Sequence, residues 1–264
     1  MSSSDSIHSL VQSQFAPSAA QYAGSLGHAD PAVLARIFAF TDPKATDRVL
    51  DVASGPGHTG LAFAPSVAEV TFLDLTAEML EQVHLLAEER QLTNIATIEA
   101  AAEEIPFPAA SFDLVTVRLA PHHFTSVPHF LNEAHRVLAP GGRLLVVDTV
   151  APEDLDLDEQ LNEIEALRDP SHVRNYRPSE WREMLADAGF ESLRERLTTF
   201  ADGFRMEFED WTKRIRQTDA RALAELRKHF AEASPELIEV MKIQPEGETF
   251  TFELPEFTIL AARL

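Results

Sequence analysis

Between residues 48 and 148 five short apolar runs alternate with helical patterns, and this alternation constrains the fold more than any other feature of the chain. The runs are Arg48–Ala53 (RVLDVA), Ala68–Leu75 (AEVTFLDL), Ile95–Ile98, Phe112–Val117 (FDLVTV) and Arg143–Asp148 (RLLVVD). A helix is expected after the glycine-rich stretch 54–57. Another is expected over Thr76–Arg90, with Thr76 as N-cap and Glu78 as a favourable charge in its first turn. A third covers Phe130–Leu138 and is stopped by Pro140-Gly141-Gly142. Strands joined by helices pair in parallel and are covered on both faces, so the expected class is α/β, a doubly wound, mostly parallel sheet.

The flanks read differently. Residues 1–12 are Ser-rich and polar and are expected to fray, whereas 17–40 carry apolar residues at helical spacing in two pieces broken by Gly27 and Pro31. Beyond Pro152, helices are expected over Leu155–Leu167 and Ser179–Ala188 and through most of Phe208–Met241. Glu191–Phe200 reads as a sixth strand, and Glu248–Glu253 and Phe257–Ala262 as two closing strands. The expected organisation is a helical N-terminal extension or lid (1–45), a core (46–150), and a remainder of the same domain (151–264). The stretches 152–177 and 203–245 are too long for plain connections and are expected to cap a site.

Forty-three acidic against twenty-two basic residues give a formal charge of −21, a field that repels phosphate backbones and anionic head groups. The nearest basic segments, Arg194–Arg196 and Lys213–Arg216, are interleaved with acidic or apolar residues, so neither nucleic acid nor membrane is an expected partner. The absence of cysteine excludes thiolate metal sites and cysteine nucleophiles. The first basic residue is Arg36 and no apolar run approaches the ~18 residues needed to span a bilayer, so a cytoplasmic location is expected.

Gly55-Pro56-Gly57-His58-Thr59-Gly60 satisfies the G-x-G-x-x-G pattern between a strand and a helix, which by itself suggests a dinucleotide pyrophosphate. Asp51, four residues before Gly55, argues against it: its negative charge opposes a pyrophosphate a few ångströms away and favours a cationic ligand such as an ammonium or sulfonium. Asp74, at the end of the second strand, suits a ribose diol, which any adenosyl cofactor carries.

Val49–Gly57 (VLDVASGPG) resembles the first motif of class I S-adenosylmethionine-dependent methyltransferases. Four further stretches resemble that family in order: Val70–Leu80, Ala102–Val117, Arg118–Phe124 (RLAPHHF) and Glu133–Asp148. The nearest pattern is that of the ubiquinone/menaquinone-biosynthesis-like small-molecule methyltransferases. The resemblance is strong over 46–150 and implies a seven-stranded Rossmann-like methyltransferase sheet with helical cap insertions. It also implies S-adenosyl-L-methionine as cofactor, S-adenosyl-L-homocysteine as product, and a small-molecule acceptor methylated at C, O or N.

Carried over residue by residue, the resemblance implies that Asp51 and the backbone of Ser54, Gly55, Pro56 and Gly57 hold the methionine end, directly or through water. Asp74 takes the ribose, Leu75 and Met79 pack near the adenine, and Ala102 and Glu103 line its far edge. Relatives commonly carry Asp where Ala101 stands. Loss of that contact to the adenine amino group is expected to cost roughly 1 kcal/mol unless Glu103 or a water substitutes.

Methyl transfer from a sulfonium needs alignment, exclusion of water and, for a protic acceptor, a base. The architecture brings Arg118, His122 and His123 near the reaction, with one histidine handling a proton or binding the acceptor; alternatively the pair begins the next helix. Asp148 is either a ligand at the rim or a turn or helix cap. His172, Arg174 and Tyr176 either line the acceptor pocket or form a buried network in the cap. Phe15 and Tyr22 either close over the cofactor as a lid or pack as core. No His/Asp/Glu set has persuasive metal spacing, and no metal is expected. Two further readings remain: a protein of this fold that binds the cofactor without methylating, by other catalysis or by binding alone, and a nicotinamide dehydrogenase, disfavoured by Asp51. Oligomeric state is open.

Overall fold

The parallel sheet forms because β1 (Arg48–Val52), β2 (Glu69–Asp74), β4 (Phe112–Arg118) and most of β5 (Leu138–Thr149) are buried on both faces, leaving each a choice only of neighbour. The computed structural model describes residues 3–215 and 218–264, so Arg216 of the basic segment weighed above lies outside the described residues. Four helices precede the sheet: α1 (Ser3–Phe15), α2 (Ala19–Ala23), α3 (Leu26–Ala29) and α4 (Pro31–Thr41). Asp30 caps α4 by accepting from the N–H groups of Ala32 and Val33, with Pro31 supplying the preset φ of a first helical residue.

The core then runs β1, α5 (His58–Phe63), β2, α6 (Ala77–Glu89), β3 (Ile95–Glu99), β4, α7 (Val127–Val137) and β5. The second half adds α8 (Leu155–Arg168), α9 (Pro178–Asp187), β6 (Phe190–Thr199), β7 (Met206–Glu207), α10 (Phe208–Lys213), α11 (Ala220–Ala231) and α12 (Pro235–Met241). It ends with β8 (Gln244–Glu246), β9 (Thr249–Phe252) and β10 (Pro255–Arg263). The main sheet has seven strands in the order β3-β2-β1-β4-β5-β10-β6, with β10 antiparallel to both neighbours and the rest of the pairings parallel.

Alternate strand residues feed two cores. Val49, Val70, Phe72, Leu114 and Leu145 face α4, α5 and α6, while Leu50, Val52, Val115 and Val146 face α7 and α9, where Phe130 and Trp181 are fully buried. Each such aromatic contributes roughly 1.5–3 kcal/mol through burial. A third cluster, with Phe208, Trp211, Phe230 and Phe252 at its centre, belongs to the cap formed by α8, α10, α11, α12 and a small antiparallel sheet β7-β9-β8.

Four expectations change. The Ser-rich start is helical as α1, held by Gln12 Nε2 donating to the Leu75 carbonyl at 2.9 Å. In the following extension the break falls at Gly24-Ser25 rather than at Gly27, which sits within α3. Pro140-Gly141-Gly142 lies inside β5 rather than before it. The strand expected at Glu248–Glu253 does not close the main sheet; β9 pairs with β7 and β8 because Phe250 and Phe252 face the cap core. Alternation marks a half-buried strand but not the sheet that receives it.

Candidate active site

The strand order reverses direction between β1 and β4, and the crevice at the carboxyl ends of these strands is where an open α/β sheet binds its ligand. The turn after β1 is built for close approach. Ala53 and Gly55 adopt left-handed φ values of 48° and 52°, and Leu119 at the end of β4 adopts 53°. Two non-glycine residues in that region, one at each switch-point strand, hold strain of order 1 kcal/mol or more each.

The three glycines of the motif are needed for different reasons. A Cβ on Gly55 would meet nothing within 4 Å, so its open face borders the crevice. A Cβ on Gly57 (φ 84°) would lie 2.9 Å from Val83, and one on Gly60 would lie 2.4 Å from the Phe72 ring and 3.0 Å from Asp51 Oδ2. Gly57 and Gly60 therefore let α5 seat against β2 and the Asp51 carboxylate.

The two aspartates differ in exposure. Asp74 lines the crevice, and its two oxygens accept from the N–H of Gly55 (2.7 Å) and of Thr76 (2.9 Å), fixing both turns relative to one carboxylate. Thr76 precedes α6 as expected, but it is Asp74 that accepts from the Thr76 N–H, and the Thr76 side chain makes no cap. Burial pushes the Asp74 carboxyl up to about 6, against the pull of the Thr76 and Gly55 N–H groups. Asp51 is 1% exposed and lies behind the crevice wall, accepting from Thr116 Oγ1 at 2.7 Å and from the Gly60 N–H at 2.9 Å. Burial raises it to about 7, opposed by those two hydrogen bonds and the Arg118 charge. Its role is thus to tie α5 to β1 and β4 and to supply a field, rather than to line the crevice.

Arg118 ends β4 with a buried guanidinium. Its Nη1 donates to the His28 carbonyl at 2.9 Å, while Nε and Nη2 have no partner among the described residues and the side chain lines the crevice. Burial lowers its pKa, with Glu256 and Asp51 opposing the shift. The crevice encloses about 970 Å³ including its mouth, within the usual size of a ligand site. Leu75, Met79, Ala101, Ala102 and Glu103 form one end of it. Glu103 is engaged, its Oε1 accepting from the N–H and hydroxyl of Thr125 at 2.8 and 2.7 Å. Phe15 and Tyr22 lie in its wall, together with His8 and Val11 of α1.

A second cavity of about 590 Å³ lies under the cap and shares Phe15, Tyr22, His28, Leu119 and His123 with the first. His122 and His123 form a separate 3₁₀ turn with Pro121 rather than the start of α7, which Ser126 caps. His122 lines this second cavity, and its Nδ1 lies 2.7 Å from Asp148 Oδ1 at the end of β5. With a carboxylate as acceptor, Nδ1 carries the proton and Nε2 is left with a lone pair. Burial works against charging this ring, but the attraction and hydrogen bond of Asp148 outweigh it and raise its pKa. His123, its ring 4.2 Å from that of His122, is pushed down to about 3 chiefly by burial and then by His122; its Nδ1 donates to the Ser171 carbonyl at 3.0 Å. Two adjacent histidines thus have opposite character, set by what stands behind each.

The cap cluster divides. His172 packs beside His122 with ring centroids 5.8 Å apart, its Nε2 3.1 Å from Asn162 Oδ1, and burial pushes it down to about 2. Arg174 is engaged by Asp158 at 2.8 Å and Glu180 at 3.1 Å, and Tyr176 packs on Trp181 with ring centroids 6.0 Å apart. Neither residue lines the two cavities; Arg174 bridges Asp158 of α8 and Glu180 of α9, and Tyr176 packs on α9. Asp148 stands behind His122 rather than at the rim.

Residues passed over in the sequence do line the cavities: His28 and His58 at the first, Glu165, Arg168 and Arg214 at the second. His58 sits inside the glycine motif, and Arg168 directly precedes the Asp169–Tyr176 cluster, so both had a local signal. Among the described residues no group of three His, Asp or Glu stands together as a metal site, and no helix is long and apolar enough to cross a membrane.

The chain is similar to known proteins. A family model described as a methyltransferase domain matches residues 50–146. YcgJ, an uncharacterized methyltransferase of Bacillus subtilis, is 47% identical over 143 residues, 54% of this chain and 56% of YcgJ. Its crystal structure superposes with a TM-score of 0.79 at 34% identity, covering 88% of this chain and 98% of that one. YafE of Escherichia coli is 38% identical over 191 residues, 72% of this chain and 90% of YafE. The ubiquinone/menaquinone biosynthesis C-methyltransferase UbiE of Rhizobium etli is 40% identical over 105 residues, 38% of this chain and 41% of UbiE. A glycine turn and a buried carboxylate at the switch point of a seven-stranded sheet, in a chain 88% of which superposes on YcgJ, lead to one conclusion: the chain belongs to the class I S-adenosylmethionine-dependent methyltransferases.

Proposed function

We propose that this methyltransferase acts on a small-molecule acceptor held in the second cavity, with S-adenosyl-L-methionine in the first and His122 as the group that receives the acceptor's proton. The observation that carries this reading is the shared wall. Two ligand-sized cavities meet at Phe15, Tyr22, His28, Leu119 and His123, and the His122–Asp148 pair faces the second.

The first cavity fits the cofactor on its own chemistry. The open face of Gly55 admits close approach, and the unpartnered Nε and Nη2 of Arg118 match a carboxylate, which the amino-acid end carries. Asp74 accepts ribose hydroxyls with its remaining lone pairs, Ser54–Gly57 contributes backbone groups, and Leu75, Met79, Ala102 and Glu103 border the adenine. When bound, the cofactor supplies an electrophilic methyl on a sulfonium and leaves as the neutral thioether. His122 Nε2 accepts a proton from a protic acceptor, Asp148 steadies the resulting imidazolium, and α1 excludes water. Neutral His123 presents a ring that does not compete for charge.

The first test is titration of the protein with S-adenosylmethionine and S-adenosylhomocysteine by calorimetry. Both are expected to bind, and Arg118→Met is expected to weaken both by about 10- to 100-fold through loss of charge-assisted hydrogen bonds. A folded protein that binds neither would overturn the reading. Formation of S-adenosylhomocysteine with an added acceptor separates methylation from binding alone.

Asp51 carries a pH prediction. Its carboxyl is raised to about 7, so the stability it contributes is fully present below about pH 4 and is lost as pH rises through 7. A cation in the adjoining crevice relieves that penalty, and a neutral thioether does not. The preference for S-adenosylmethionine over S-adenosylhomocysteine is therefore expected to grow several-fold between pH 6 and 8 and to become flat in Asp51→Asn. A wild-type ratio independent of pH would show that Asp51 serves only to tie α5 to the sheet.

A further inference from the structure

Two arginines, Arg168 and Arg214, line the second cavity beside one lining carboxylate, Glu165. Both arginines are near enough to act on Tyr22, which lies in the same wall. The nearest carboxylates to Arg168 are Glu165 at 3.6 Å and Asp169 at 3.9 Å, both beyond hydrogen-bond distance, and Arg168 Nε has no partner among the described residues. Its guanidinium lies 4.7 Å over the Trp211 ring, which holds the plane of the fork without using its donors. Asp169 Oδ1 accepts from the Ser171 N–H and hydroxyl at 2.8 and 2.6 Å, while Oδ2, the oxygen 3.9 Å from Arg168, has no hydrogen-bond partner among the described residues. Glu165 Oε1 is buried without a partner, and burial raises that carboxyl, disfavouring the charge that would otherwise answer Arg168. Arg214 makes no ion pair within 4.0 Å among the described residues, and its backbone carbonyl accepts from Gln14 Nε2 at 3.2 Å, joining the cap to α1. Phe15, Phe200, Met206, Trp211 and Leu254 supply the apolar part of the wall, and Tyr22, His28, His122, His123 and Thr149 its polar part.

Resting on the reading of this cavity as the acceptor site, we infer that the acceptor is a small aromatic carboxylate, its carboxylate anchored by Arg168 and Arg214 and its ring against Trp211 and Phe200. A planar guanidinium held over an aromatic ring recognises a carboxylate in two dimensions, and the aromatic rings of the lining give apolar contact to an aromatic body. His122 lines the same cavity, within electrostatic reach of Arg168.

The test is calorimetric titration with hydroxybenzoates and hydroxyphenylacetates, each paired with its uncharged amide, on ligand-free protein and on protein loaded with S-adenosylhomocysteine. At least one carboxylate is expected to bind at least about tenfold more tightly than its amide. Arg214→Met is expected to remove that preference with S-adenosylhomocysteine affinity as the internal control, and Arg168→Lys to retain part of it. Arg168→Met leaves Glu165 and Asp169 without their cation and is informative only if the variant stays folded; Arg214→Met does not share that difficulty. Amides that match the carboxylates throughout, carboxylates that all fail to bind, or a preference that survives Arg214→Met would each overturn the inference. Carboxylate binding without S-adenosylhomocysteine binding would count against the cofactor reading alone. S-adenosylhomocysteine binding without any carboxylate preference would count against the anchor alone.

Discussion

Replacing His122 by asparagine is expected to slow methyl transfer to a protic acceptor by about 10²- to 10⁴-fold, the usual contribution of a positioned general base, with the affinity for S-adenosylhomocysteine unchanged. The expectation follows from the 2.7 Å contact of Nδ1 with Asp148, which leaves Nε2 as the acceptor facing the second cavity. The two partners are separable. Asp148→Asn keeps the ring in the cavity but removes the attraction that raises its pKa, so the ascending limb of the pH–rate profile is expected to move to lower pH while the plateau falls. A merely structural role for Asp148 would lower the rate without moving the limb. His123→Asn, by contrast, is expected to leave the profile's midpoint nearly in place, because burial already keeps that ring neutral throughout the working range. The measurement is the rate of S-adenosylhomocysteine formation against pH with the first acceptor that turns over. A His122→Asn enzyme within threefold of the parent would remove His122 as the base.

Asp74→Ala is expected to weaken cofactor binding by 100-fold or more. One carboxylate fixes the Gly55 and Thr76 N–H groups at 2.7 and 2.9 Å and also borders the crevice, so its removal releases two turns and deletes the acceptor for the ribose. Each charge-assisted hydrogen bond lost contributes about 1.5–3 kcal/mol, so two such losses reach the stated factor. Asp74→Asn keeps one accepting oxygen and should fall between. Calorimetry on both variants, with unfolding curves to establish that each remains folded, decides the matter. Parent-like affinity in Asp74→Ala would mean that the ribose is held elsewhere.

These effects differ in how far they could be read before folding. Asp74 was legible because its position is defined by chain order: the last residue of the second strand, next to the glycine turn in any sheet of this kind. Asp51 was legible as a charge beside the glycine turn, yet its burial and its occupation by Thr116 and Gly60 were not, because Thr116 lies on β4, sixty-five residues away. The pairing His122–Asp148 likewise joins the ends of two neighbouring strands that the sequence separates by 26 residues. For Arg174 and Tyr176 two readings stood side by side, because a polar-aromatic cluster has the same composition whether it lines a pocket or ties helices together; the contacts with Asp158, Glu180 and Trp181 are visible only in the fold.

By itself, the sequence determined the order of the strands and helices, the glycine turn and its acidic neighbours, and from these the family and its cofactor. Such features depend on residues close together in the chain, where periodicity, capping and backbone freedom act. Only the tertiary structure decided which side chains face which cavity. It showed that the cap has its own core, that β9 serves the cap rather than the sheet, and that Arg168 and Arg214 come to one chamber with His122. Burial and the approach of distant charges set the character of those groups, and both arise only when segments far apart in the chain pack together.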